Sequence, residues 1–434
     1  MTRPLMKLAP LGMVLTLVLA ACGGAIGPSA TAQPTPPPSG AATPTEAPFP
    51  TGDINIELWT KEGDPNIAYI EKLGIYYTGL HKNVHFKVVN KDVETLREDM
   101  VNTALAPDTQ PQLLWTVADH IGPFTAAGVI QELTGKIDES IYAPSALAGA
   151  KVGDQLWAVP ISNGNQLMLY YNKSLIPNPP ADTDTMISLA KQNTDAAKKT
   201  YGLVYNQTES FWLMPWIGGF GGSVFKSDGK TPDLTSDAMK NSLQFLYDLK
   251  YVDKVMPSSC DYNCASDLFT TGAASMIING DWELGNYADK LGDNLGVEPL
   301  PKINATGKYP APYTAGAYWM VPKSVSGDTL TVVMDFIKWS TNKDNQVQMV
   351  AALKRLPANN EALADPIVTG DPLLKGAADA VQLGTPQPTN VEMRCVFDAT
   401  KNIGMNEVVV KGNSNITDVM NRMQTAAENC VATG

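Results

Sequence analysis

The stretch Ala158–Lys173, AVPISNGNQLMLYYNK, constrains this chain more than any other. It starts as a strand that ends on Pro160, passes through the polar run Ser162-Asn163-Gly164-Asn165, and resumes as the apolar, aromatic strand Leu167–Tyr171. Asn172-Lys173 stop that strand, and Pro177, Pro179 and Pro180 delay the next regular element. A strand broken by a polar hinge suits a chain that leaves one lobe for another. Length agrees: 434 residues are too many for one typical core, so two or three compact units are expected.

The N-terminus reads as a secretion signal over residues 1–21. Arg3 and Lys7 form its basic region, Leu11–Ala20 its apolar core and Leu19-Ala-Ala-Cys22 its cleavage end. Leu-Ala-Ala-Cys followed by Gly23 resembles a bacterial lipobox, which implies lipid on Cys22. Residues 22–52 form a tether, with eight prolines between Gly23 and Pro50 among Ala, Thr, Ser and Gly; such a segment cannot bury enough surface to fold. No second apolar run is long enough to span a bilayer. The expected location is the outer face of the bacterial membrane, or the periplasm where an outer membrane exists, with the lipid as sole attachment.

Cysteine usage fits an oxidising compartment. With Cys22 acylated, four cysteines remain, and four allow three connectivities. Cys260 and Cys264 are near enough to close a small loop, and Cys395 can reach Cys430 across the last helical region. A metal site is disfavoured, since Cys260-x-x-x-Cys264 has no second pair and no histidine nearby. The net charge of −12, without any Lys/Arg cluster, disfavours nucleic acid and anionic surfaces as partners.

From Asp53 onward, strands and helices alternate. Ile54, Ile56 and Leu58 mark a period-two strand ending at Trp59, Val84–Val88 a second, and Leu113–Trp115 a third. Val93, Leu96, Met100 and Ala104 have helical spacing. After the hinge come Tyr201–Tyr205, an amphipathic helix through Met239, Leu243, Leu246 and Leu249, the apolar strand Ala273–Asn279 and a further strand Tyr318–Val321. The pattern predicts an α/β fold whose sheets are mostly parallel and flanked by helices. Trp339 shares a helix face with Val332 and Phe336 and is assigned to the core. Gly218–Gly222 lacks both the Lys-Ser/Thr of a P-loop and dinucleotide-site spacing, so it reads as a turn.

Ligands of open α/β sheets bind beyond the carboxyl ends of strands. Trp59–Pro65, Trp115–Pro123, Asn206–Trp212 and Asn279–Glu283 combine flat aromatic faces with carboxylates at such ends. That mixture suits sugars, which offer C–H patches on one face and hydroxyls around the rim.

Several stretches carry a family resemblance: Ile56-Glu-Leu-Trp59, Pro111–Trp115 with Gly122, the hinge above, Phe269-Thr-Thr-Gly-Ala-Ala-Ser-Met276-Ile-Ile-Asn279-Gly-Asp-Trp282, and Arg355-Leu-Pro357-Ala-Asn-Asn-Glu361. Together they resemble the extracellular solute-binding proteins of the maltodextrin-binding type, the capture subunits of bacterial ABC importers for sugars. The resemblance covers nearly all of residues 53–434. It implies a two-lobed periplasmic-binding-protein-like fold of type II with three crossovers, near Asn163–Asn165, Gly296–Pro301 and Ala362–Asp365. Lobe 1 would comprise 53–164 and 299–364, and lobe 2 165–298 and 365–434. It also implies that Trp282 stacks on a sugar ring and that Asp119, Glu209, Phe211, Lys61 and Glu62 contact the ligand. Trp59 and Trp115 are added as strand-end aromatics. Three positions depart from the pattern: Asn165 stands where an acid is usual, Asp119-His120 replaces Asp-Arg, and Val396-Phe397 replaces Trp-Tyr. Maltose itself is thereby put in question, while a saccharide remains the expectation.

The implied protein is a monomeric, non-enzymatic binder without cofactor that hands a saccharide, expected to be an oligosaccharide, to permease subunits. Two alternatives stand beside it. Glu209 and Asp281 are conceivable as a glycosidase acid pair. A non-sugar solute is the other, including an ion held by Tyr76-Tyr77 or Tyr170-Tyr171; but strand neighbours point to opposite faces, so Tyr170 and Tyr171 cannot share one ion.

Overall fold

Ile54, Ile56 and Leu58 point into one core along β1 (Ile54–Thr60), while Asn55 stays exposed, as the period-two pattern requires. The computed structural model describes residues 48–433; the expectations for the signal, for Cys22 and for most of the tether fall on residues 1–47, outside the described residues. Among the described residues no helix is long and apolar enough to cross a membrane.

The first lobe is built on β1, β2 (Val84–Asn90), β3 (Leu113–Val117) and β4 (Val159–Pro160). The second carries β5 (Leu167–Asn172), β6 (Tyr201–Val204), β7 (Ala274–Gly280) and β8 (Leu295–Glu298), after which β9 (Ala317–Met320) returns to the first. Sheet order is β2-β1-β3-β9-β4 in one lobe and β8-β5-β7-β6 in the other.

The two-lobed α/β architecture stands, but the sheets are mixed rather than mostly parallel. β1 runs parallel to β2 and β3, whereas β9 is antiparallel to β3 and β4. β5 is antiparallel to β7 and β8, and only β6 pairs parallel with β7. The reason lies in the connections. Parallel neighbours need a long crossover, usually helical; β6 and β7 have one, containing helices Asp237–Tyr247 and Tyr262–Thr270, whereas β9 arrives by an extended return without a helix.

Side chains of β5 alternate between two cores. Leu167, Leu169 and Tyr171 enter one with Met276 and Ile278, and Met168 and Tyr170 enter the other with Ile277 and Leu295. The two tyrosines therefore face opposite sides. Trp339 is half-buried against the rings of Tyr77 and Phe336 in the first core.

The crossing segments meet. Asn163 N–H donates to Leu356 O at 3.0 Å, and Gly164 exchanges backbone hydrogen bonds with Ala315 at 3.2 and 2.8 Å. The second crossing thus lies near Ala315 and not at Gly296–Pro301. Leu300 and Ile303 pack in the second core, and Lys302 bonds the backbone of Ala181 and Thr183, which keeps that stretch in the second lobe. The third meets the hinge at Leu356–Pro357, earlier than Ala362–Asp365, because Pro357 bridges to Ser162. Gly164 is required by close approach: a Cβ there would lie 2.1 Å from Asp281 Oδ2.

Both cysteine pairs are bonded, Cys260 to Cys264 and Cys395 to Cys430, with Cα separations of 5.2 and 5.6 Å. The second ties helix Glu392–Ala399 to helix Ile416–Thr433. Alkylation of the unreduced protein should label none of these four, and peptide mass spectrometry should recover these two links; a labelled or crossed cysteine contradicts the pairing.

Candidate functional site

A cleft of about 250 Å³ lies between the lobes, and residues from both walls line it. On the first lobe, Asp92 caps helix Val93–Asn102 by accepting from the N–H of Glu94 at 3.0 Å, which sets Val93 and Glu94 at the cleft. Val117 and Asp119 reach it from the end of β3. On the second lobe, the loop after β6 contributes Glu209, Phe211 and Trp212, and the turn after β7 contributes Trp282. Arg394, Phe397, Asp398 and Lys401 follow at helical spacing on helix Glu392–Ala399 and its continuation. Asn165 and Gln387 also line it, their side chains 3.5 Å apart. Asn165 holds a φ of 60° at the hinge, and its N–H donates to Asp281 Oδ1 at 3.0 Å.

The aromatic wall is fixed from behind. Phe211 and Trp212 stand 6.2 and 6.5 Å from Trp282, ring centre to ring centre. The Trp212 indole N–H donates to Ile278 O at 2.8 Å, and that of Trp282 donates to the Tyr262 hydroxyl at 2.7 Å. Gly280 leaves room for the Trp282 ring: a Cβ there would sit 2.1 Å from it. With its N–H engaged, Trp282 offers the cleft a face and not a donor.

The polar wall is charged and largely paired. Arg394 spans the cleft, with Nη1 on both carboxylate oxygens of Glu94 at 3.1 and 2.9 Å, and it also pairs Asp398 at 2.9 Å. Lys401 pairs Glu209 at 2.6 Å. Burial opposes ionisation of Glu94, but Arg97 and Arg394 outweigh it and hold the carboxyl below its ordinary range. The lobes also meet where Thr389 Oγ1 donates to Lys151 O at 2.6 Å.

Of the residues expected to contact ligand, Asp119, Asn165, Glu209, Phe211, Trp282 and Phe397 line this cleft. The others do not, for separable reasons. Trp115 is wholly buried edge-on to Trp319 at 4.9 Å. Trp59 is buried, its indole donating to Glu57 at 2.7 Å and its face covered by the Lys91 ammonium at 4.1 Å. His120 is buried against Thr116 Oγ1 at 2.8 Å, and burial pulls its imidazole down to about 4, so it is neutral. Glu62 is 2 % exposed and holds Arg355 at 3.3 Å, Lys61 at 3.2 Å and Asn66 at 2.7 Å. That internal ion cluster occupies the two loop residues expected at the ligand.

Glu209 and Asp281 are not assembled as an acid pair. Glu209 is paired with Lys401, and Asp281 is buried behind Asn165, where burial lifts its carboxyl to about 6 against the pull of Arg355. Among the described residues no group of three His, Cys, Asp or Glu is placed to hold a metal ion. Glu94, Arg394, Asp398 and Lys401 were not anticipated. Helical spacing around Phe397 was the signal for the last three, whereas Glu94 announces itself only through the meeting of the lobes.

Residues 76–376 match the family described as bacterial extracellular solute-binding protein. The maltotriose-binding protein of Pyrococcus abyssi is 25% identical over 352 residues, 80% of this chain and 76% of that protein. The galactooligosaccharide-binding protein of Bacillus subtilis is 25% identical over 332 residues, 73% and 76% of the respective chains. Among solved structures, the maltose/maltodextrin-binding domain MalE from Bdellovibrio bacteriovorus bound to maltotriose superposes with a TM-score of 0.81 at 29% identity, covering 87% of this chain and 100% of that one. The Thermus thermophilus maltotriose binding protein, at 23% identity and a TM-score of 0.78 over 87% of this chain and 100% of its own, shares the fold.

Proposed function

This chain belongs to the bacterial extracellular solute-binding proteins, and on that premise we propose that its cleft captures an oligosaccharide for an ABC importer. One observation carries the reading: Trp282 and Phe211 of the second lobe face Asp119 and Glu94 of the first across a single cleft. An aromatic face buries the C–H side of a pyranose ring, and carboxylates and amides take its hydroxyls. A ligand that touches both walls favours the closed arrangement, because only contacts unique to that state shift the equilibrium. Closure about Ser162–Gly164, Ala315 and Leu356–Pro357 would then present a changed surface to the permease. The relatives that bind maltotriose and galactooligosaccharides support the ligand class. The charged helix face through Arg394, Asp398 and Lys401 supports a ligand other than maltose itself.

We place the working protein outside the cell as a monomer held to the membrane through lipid on Cys22, with the Pro-rich segment after it as a tether that ends before the expected residue 52, because Phe49 stacks on His81 at 4.0 Å against the first core. Cys22→Ser should release the protein from the membrane fraction or leave it unprocessed. Unchanged processing and retention contradict the anchor. A thermal-shift screen against mono- and oligosaccharides tests the ligand class. A raised melting temperature with at least one oligosaccharide, and with no metal salt or amino acid, is expected.

A further inference from the structure

Behind the aromatic wall lies a short relay that the cleft itself does not reveal. The Trp282 indole N–H donates to the Tyr262 hydroxyl at 2.7 Å, and that hydroxyl donates in turn to the Glu283 carboxylate. Glu283 is held from its other oxygen by Asn286 Nδ2 at 2.8 Å. Tyr262 is the first residue of helix Tyr262–Thr270, and the bond between Cys260 and Cys264 brackets it on both sides. Asp261 caps the same turn by accepting from Cys264 N–H at 2.9 Å.

We infer that Tyr262, staked by the Cys260–Cys264 disulfide, is a positioning residue that sets the plane of the Trp282 indole in the cleft. The disulfide fixes the first helical turn, the turn fixes the phenol, and the phenol fixes the indole. Burial and the neighbouring Glu283 raise the Tyr262 phenol well above the ordinary tyrosine range. It therefore keeps its proton, which it donates in the hydrogen bond to Glu283, and leaves an oxygen lone pair for the indole N–H. Trp282 needs such an anchor because Gly280 beneath its ring has no side chain to hold it. A small disulfide loop that also packs Cys260 into a core of the second lobe thereby gains a role at the ligand site.

The inference about affinity rests on the reading of Trp282 as a sugar platform, and the test separates the two. Tyr262→Phe and the double variant Cys260→Ser/Cys264→Ser are compared with wild type, Trp282→Ala and Tyr287→Phe. Tyr287 is the control, a buried tyrosine whose hydroxyl bonds Asn279 at 2.7 Å and Ser266 at 3.0 Å without touching Trp282. The first readout needs no ligand: the indole N–H signal of Trp282 in a nitrogen-15 spectrum, assigned by its loss in Trp282→Ala. It should shift and exchange with solvent about tenfold faster or more in both test variants, and stay unchanged in Tyr287→Phe. An unchanged signal in Tyr262→Phe overturns the inference. The second readout is titration with maltotriose, where Tyr262→Phe should bind about three- to tenfold more weakly and Tyr287→Phe as wild type does. If Trp282→Ala weakens maltotriose binding and Tyr262→Phe does not, the positioning role fails. If Trp282→Ala binds as wild type does, or wild type takes no maltotriose, the platform reading fails for this sugar, and the indole signal alone decides whether Tyr262 holds the ring.

Discussion

Arg355→Met should lower the free energy of unfolding by about 3–5 kcal/mol. Arg355 and Glu62 are 4 % and 2 % exposed, and their pairing at 3.3 Å joins segments far apart in the sequence. Around them stand Lys61, Asn66 and the Trp115 indole on Glu62, and buried Asp281 on the side of the second lobe. Removing the guanidinium leaves Glu62 with one partly exposed ammonium, and Asp281 without the cation that steadies it. Breaking a buried pair from one side strands a charge in a medium that solvates it poorly, and that is the source of the cost. Replacing both partners, as in Glu62→Gln/Arg355→Met, should recover more than half of it. Urea unfolding monitored by tryptophan fluorescence measures both variants, and equal stability of Arg355→Met and wild type contradicts the account.

The same cluster sets an acid response, with two groups working in opposite senses. Burial disfavours the Glu62 carboxylate, but Arg355 and Lys61 overcome this and bring it down to about 2 from an ordinary value of 4.5. Its contribution is complete above 4.5 and is lost as pH falls through 2. Asp281 is lifted to about 6 from 3.8. Its neutral form suits the folded state, so its contribution is complete below 3.8 and is lost as pH rises through 6. Wild type should therefore gain stability relative to Asp281→Asn as pH falls from 7 toward 5. A constant difference across that window contradicts the assignment.

Trp282→Ala should weaken oligosaccharide binding by on the order of 10- to 30-fold. An indole face covering about 100 Å² of sugar C–H surface at about 25 cal/mol/Å² contributes roughly 2.5 kcal/mol, and partial solvent access lowers this toward about 1.5–2. At about 1.4 kcal/mol per factor of ten, that range gives the stated loss. The ring also packs against Phe211 and Trp212, so the variant should melt a few degrees lower. Normal affinity with reduced stability would make Trp282 a core residue and end the stacking account.

What could be read from the sequence depended on how local each signal was. Alternation revealed β1 and β5, and the opposed faces of Tyr170 and Tyr171 followed from strand geometry alone. The turn Asn279–Glu283 carried Trp282 to the cleft as its composition suggested. Trp59 and Trp115 share that strand-end pattern, but a third residue decides their fate. Lys91 covers one ring, and Trp319, from a strand paired with β3, packs on the other. Glu62 looked like a free loop acid because its partner Arg355 is 293 residues away. Arg394, Asp398 and Lys401 carry no signal of their own in the sequence beyond their spacing from Phe397, and their place in the cleft depends on Glu94 and Glu209, which pair with Arg394 and Lys401. The sheets are mixed and not mostly parallel as the pattern predicts, because periodicity marks strands but not their direction, which the connections decide.

The central claim is that the two walls close on a saccharide. Calorimetric titration of oligosaccharides, maltotriose among them, into residues 23–434 tests it most directly. The account predicts saturable one-to-one binding of at least one oligosaccharide, with the sugar recovered intact. Absence of binding across the panel, or recovery of shorter sugars from the cell, would contradict it.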